Sequence, residues 1–235
     1  MSEFEGFGFV VPHWAYWGWL AIMPLALMIW SRLQEKKNPH LHPDRDMDVR
    51  IEVLSDEDPT HHYARLDTPV TRVIDWISEN SGVFVALWTV NAVCAYFYEV
   101  VMRYLFNMPT IWVHESSYLL FGMQYLLSGA YALLHGAHVR VDIIYQKLPE
   151  RGRVGMDIFT SVFFFIFASA MAATSWHFLV DSWSMHETTV ETWGIQYWPV
   201  KGMMFLGSIL ILLAGISQLI KDIRLYNRIG KAQHA

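Results

Sequence analysis

One cysteine, Cys94, is all that the sequence holds in 235 residues. A single thiol excludes an internal disulfide framework and any CxxC metal or redox pair. Charge is scarce too. Asp, Glu, Lys and Arg make up 17% of the chain, against roughly a quarter in an ordinary soluble domain. Residues 6–31, 82–98, 116–134, 158–180 and 202–220 contain none of the four. The net charge is −5 and no basic stripe is present, so nothing points to nucleic acid and no such partner is expected. No internal repeat is visible. There is also no pair of Gly- or Pro-broken apolar segments of the kind that marks a transporter's own substrate site.

What is present is apolar: 54% of residues are hydrophobic and 15% aromatic. Each uncharged stretch approaches the roughly 20 residues that a helix needs to cross a hydrocarbon core of about 30 Å. Backbone groups there have no water to bond, and the stretches are too long for barrel strands, which leaves helices. A soluble bundle would need polar residues at every turn, and they do not recur. The fold class is therefore all-α, an integral membrane helical bundle with a four-span core plus an extra N-terminal span. The expected divisions are 1–31, an N-terminal transmembrane helix; 32–67, a charged cytoplasmic linker; 68–224, the core; and 225–235, a cytoplasmic tail.

The first apolar stretch lacks the pattern of a signal peptide. Glu3 and Glu5 precede it, and Arg32, Lys36 and Lys37 follow. Trp14–Trp30 reads as a retained span with Pro24 as a tolerated kink; an interfacial helix is the alternative. The linker is rich in charge, in histidine (His40, His42, His61, His62) and in proline, with too little apolar material for a core. Thr68-Pro69 reads as an N-cap followed by a first-turn proline. After it, Val70, Val73, Ile74 and Ile77 share one face, and Thr71, Arg72, Asp75, Ser78 and Glu79 the other. That pattern fits an amphipathic surface helix or a cytoplasmic extension of the next span. Lys and Arg gather at Arg140, Lys147, Arg151 and Arg153, and again at Lys221, Arg224, Arg228 and Lys231. Those segments are expected in the cytoplasm, giving five spans with the N-terminus periplasmic. Trp112, Trp183, Trp193, Tyr197 and Trp198 fall where an outer aromatic belt would lie.

Few residues carry chemistry. Glu99 and Arg103 stand one turn apart and can pair, either as a neutralised couple at headgroup level or as a partner contact. Asn91 and Gln124 are mid-span amides that can join helices two and three. Ser128, Ala132 and Gly136 form a small-residue row, as do Ala168 with Ala172 and Gly207 with Gly215. His114 and His177 raise one alternative, a haem-bearing membrane anchor subunit of a redox enzyme. No catalytic group, cofactor site or metal site is otherwise expected.

From Arg103 onward a resemblance emerges. Arg103-Tyr-Leu-Phe-Asn-Met-Pro109-Thr-Ile-Trp112-Val-His-Glu115 is similar to the outer loop of the small membrane subunit of TRAP (tripartite ATP-independent periplasmic) transporters. His138-Val-Arg-Val-Asp142-Ile-Ile-Tyr145 with Leu148-Pro149 resembles that family's cytoplasmic loop. Ser182-Trp183, Glu187, Trp193-Gly194 and Lys201 resemble its second outer loop. The likeness spans about residues 68–224; the N-terminal span and linker depart from it. It implies a non-catalytic scaffold subunit of a sodium-coupled importer of a carboxylate or related solute in a bacterial inner membrane. Its implied partners are a large permease subunit, a periplasmic substrate-binding protein and membrane lipids. Arg103, Pro109, Trp112, Glu115, His138, Asp142, Pro149 and Lys201 become candidate subunit contacts. Asp181, Trp183, Glu187 and Glu191 become candidates for docking the binding protein, unless that loop only packs on its own helices.

Overall fold

The computed structural model describes residues 10–37, 68–136 and 148–232. Among the described residues six helical segments follow one another: α1 His13–Lys37, α2 Pro69–Ala86, α3 Trp88–Leu105, α4 Val113–Leu134, α5 Glu150–Ser184 and α6 Trp198–Ala232. Only Leu87, itself with helical dihedrals, separates α2 from α3, so residues 69–105 form a rod of 37 residues. Thr68 caps that rod. Its Oγ1 accepts the Thr71 N–H at 3.0 Å, and the Thr68 N–H donates to Thr71 Oγ1 at 2.8 Å, satisfying two otherwise orphan donors.

Among the described residues four stretches are long and apolar enough to cross a membrane: His13–Gln34, Pro69–Leu105, Arg151–Ser184 and Trp198–Gly230. α4 is not among them, but its 22 residues give about 33 Å of helix, enough to span. α4 falls short in hydropathy because Ser116, Ser117, Gln124 and Ser128 dilute its apolar content. It sits centrally instead, against α2, α3 and α6, and buries Leu119, Leu120, Met123, Leu127 and Ala130. With α4 included, the chain is an all-α membrane bundle of a four-span core plus an N-terminal span.

Contacts fix the directions. Thr89 meets Gln124 and Glu79 meets His135, so the α2–α3 rod runs antiparallel to α4. Gly207 lies against Leu126 and Gly129 against Ile211, so α4 and α6 run parallel. The α5–α6 pair is antiparallel, with Ser175 beside Ser208 and Gly155 beside Tyr226. α1 runs parallel to α4: Tyr16 OH donates to Ser116 O at 2.9 Å at one end, and Arg32 reaches Asn80 at 2.6 Å at the other.

Pro24 explains how α1 is held. It has no N–H, so the carbonyl of Leu20 loses its helical donor. Trp88 Nε1 supplies one at 2.8 Å, and the Trp88 ring is 1% exposed. A proline defect inside a membrane is thus closed by a side chain from the core.

On α2 the inward face is Thr71, Ile74, Ser78, Gly82 and Val85. Val70 and Val73, placed by sequence on the apolar face, are each 59% exposed. The polar side turns inward because Asp75 has partners there: Ser217 Oγ donates to it at 2.7 Å and Lys221 Nζ at 2.6 Å.

Candidate functional site

The end of the bundle that carries residues 106–112 and 185–197 concentrates most of the sequence candidates. Glu99, 8% exposed, organises the first turn. One carboxylate oxygen accepts from Arg103 Nε at 2.8 Å and also from Nη2; the other accepts the Thr110 N–H at 2.9 Å and the Thr110 hydroxyl. The strand of chain between them turns through Asn107, whose φ of 54° is left-handed, a conformation that Asn tolerates better than most residues. Trp112 lies against the rings of Tyr98 and Trp193.

The second turn is a short hairpin. Thr188 bridges Gln196, and the Thr189 N–H donates to Ile195 O at 2.9 Å. Gly194 takes φ 61°, where a Cβ would be strained. Thr189 Oγ1 donates to Glu115, which is 2% exposed and bonds through one oxygen only. Lys201 Nζ donates to Glu187 and lies 5.4 Å from the Tyr197 ring centre. That ammonium holds the Glu187 carboxyl below the usual carboxylate range. The hairpin tip is free: Val190 is fully exposed, and Glu191 and Thr192 are exposed.

Trp193 corrects the expected aromatic belt. It is 6% exposed and packs edge-on to His13 and Tyr16. Its Nε1 donates to Val11 O at 3.2 Å, while His13 Nε2 lies 3.1 Å from Trp193 O. The hairpin therefore clasps the N-terminal helix, with an open pocket of about 420 Å³ between Val10–Trp14, Ile111, Thr192 and Trp193. Trp183 and Trp198 do lie outward, edge to face at 4.9 Å.

A family model for the DctQ component of tripartite ATP-independent periplasmic transporters matches residues 92–225. The chain belongs to that family. No individual curated protein matches it. In this DctQ component the matched region takes in most of α3 and all of α4 and α5, and reaches far into α6, so both of these turns fall inside it. α1 and the Thr68 cap lie outside it.

The remaining sequence candidates are placed as follows. Asn91 and Gln124 do not meet each other. Asn91 Oδ1 accepts from Trp19 Nε1 of α1 at 2.9 Å, and Gln124 Nε2 donates to Thr89 at 3.0 Å. Gly136 is not a packing residue: it follows the end of α4 with φ 63°, the left-handed position that closes a helix. Gly207 and Gly215 serve different neighbours, Leu126 of α4 and Phe164 of α5. Ala168 and Ala172 are buried. Pro109 is half-buried, Pro149 caps α5, and Asp181 is exposed. His138 and Asp142 lie outside the described residues. Sequence reasoning missed Thr110, Thr189 and Tyr16, whose role is to hold carboxylates and carbonyls across loops. Nothing in their spacing signals that.

Proposed function

We propose that this DctQ component is the scaffold subunit of a sodium-coupled importer of a carboxylate or related solute in a bacterial inner membrane. It braces the large permease subunit and contributes to docking of the periplasmic binding protein. The match over residues 92–225 carries this reading, and the two rigidly pinned outer turns support it. Chemistry and ion coupling reside in the partner. Of the docking candidates, Glu187 is engaged by Lys201, so Glu191, Asp181 and Trp183 are the groups free to meet a soluble protein. Exposed rim charges of this kind steer encounter more than they add affinity.

The test uses the complete transporter in proteoliposomes. Uptake of a carboxylate driven by a sodium gradient should vanish when this subunit is omitted. Glu191→Lys should slow uptake only at limiting binding protein, with a deficit that shrinks as salt screens the charge. Sodium-driven uptake by the large subunit and binding protein alone would sink the reading.

The haem-anchor alternative gains nothing from the geometry. His114 stands beside the Tyr118 ring on α4, whereas His177 is exposed on α5, whose packing partner is α6.

A further inference from the structure

Two outward faces of this bundle differ sharply. Along α5, Phe159, Phe163, Ile166 and Phe167 are each more than 60% exposed. These are side chains that hydrocarbon solvates well. α4 also has an open face, between the edges that meet α3 and α6. It carries His114, Tyr118, Phe121, Tyr125, Ser128 and Ala132, spaced 4-3-4-3-4, all exposed or half-exposed. Tyr125, near the middle of the helix, is 76% exposed. Beside this seam Gly122 has no neighbouring atom within 4 Å of where a Cβ would stand. On its α3 edge the buried carbonyl oxygen of Gln124 has no donor.

Hydroxyl groups at mid-depth are poorly served by lipid tails, which offer no hydrogen bonds. A 4-3 repeat is the spacing of a helix-to-helix seam, and small residues beside hydroxyls are what close helix contacts in membranes use.

We infer that the His114–Ala132 seam of α4 is the docking surface for one transmembrane helix of the large permease subunit, a helix that presents hydrogen-bonding side chains to Tyr118 and Tyr125; Ser128 already donates to Tyr125 O within α4 and adds only a small side chain. This rests on the scaffold reading above. It adds a specific face and assigns the α5 face to lipid. The His114 end of the seam is continuous with the proposed docking turns, since the next residue, Glu115, accepts from Thr189 of the hairpin.

The experiment uses the whole transporter in native membranes. A benzophenone side chain is placed at Tyr125 or, as control, at Phe167. Light should join the Tyr125 position to the large permease and leave the Phe167 position unlinked. In parallel, Gly122→Leu, which meets open space in the isolated chain, should leave its yield and unfolding temperature unchanged. It should nonetheless weaken capture of the permease roughly tenfold, the scale of losing close helix packing and one or two interhelical hydrogen bonds. Linkage from Phe167 alone, linkage of Tyr125 to a second copy of this chain, or normal capture by Gly122→Leu would overturn the seam while leaving the scaffold reading intact. Failure of the unmodified chain to capture the permease at all would overturn both.

Discussion

Glu99 accepts from two residues through both oxygens, and this makes it the hinge-pin of the turn through Asn107. Sequence spacing showed the Arg103 half of this arrangement, because i,i+4 partners on a helix share a face. The Thr110 half was not legible, since it depends on how the chain folds back through Asn107. Glu99→Ala leaves Arg103 and the Thr110 N–H without their acceptor. Unfolding of the purified chain in detergent should drop by roughly 1–3 kcal/mol, the usual penalty for orphaned donors. Thr110→Val removes only the hydroxyl and should cost less. Equal losses would show that neither the Arg103 pair nor the backbone bond contributes. Glycines offer a second residue-scale contrast. A Cβ on Gly207 would sit 2.6 Å from Leu126 O, whereas one on Gly18 would meet nothing within 4 Å. Gly207→Ala should therefore force α4 and α6 apart and destabilise by about 1–3 kcal/mol. Gly18→Ala should be neutral or stabilising by up to about 1 kcal/mol, from helix propensity.

At the scale of elements, uncharged runs located every helix that crosses, and Thr68-Pro69 located the start of α2. The faces were harder to read. Asp75, placed on a solvated side, turns inward onto Ser217 and Lys221, which lie 142 and 146 residues further along the sequence. Trp193, placed in a lipid belt, is buried because a hairpin folds it onto α1. Composition cannot register either pairing. The hairpin also has a pH signature. Lys201 lowers the Glu187 carboxyl, so the folded state takes up this proton at lower pH than the unfolded chain does. The pair's contribution is fully present above the ordinary Glu value of about 4.3 and is lost as pH falls through the lowered one. Hydrogen-exchange protection of the Thr189 and Tyr197 amides, which close the hairpin, should hold from about pH 7 to about pH 5 and fall only below the usual carboxylate range. Lys201→Gln should lower it already at neutral pH. Protection that drops near pH 6 would assign the hairpin's stability to histidine instead.

Across the whole molecule, five passages alternate strictly in direction, and the contacts that establish this are independent of any charge rule. Tyr16 with Ser116 and His13 with Trp193 put the start of α1 at the same end as the Asn107 turn and the hairpin. The ends of α1, α4 and α6 lie at the other, where Arg32 meets Asn80 and Lys221 meets Asp75. Lys and Arg counts along the sequence point to the cytoplasm for that second end. Relative order from packing and absolute order from charge can be tested together. In a Cys94→Ala background, Val190→Cys at the hairpin tip, Trp14→Cys at the start of α1 and Arg228→Cys near the end of α6 are all exposed positions. A membrane-impermeant maleimide should label the first two in spheroplasts and the third only after lysis. Reversal of all three would keep the bundle and overturn the charge argument. Labelling of Val190→Cys and Trp14→Cys from opposite sides would break the Trp193 clasp itself. α1 would then not be the parallel partner of α4, and Trp88 would not be the donor that closes the Pro24 gap.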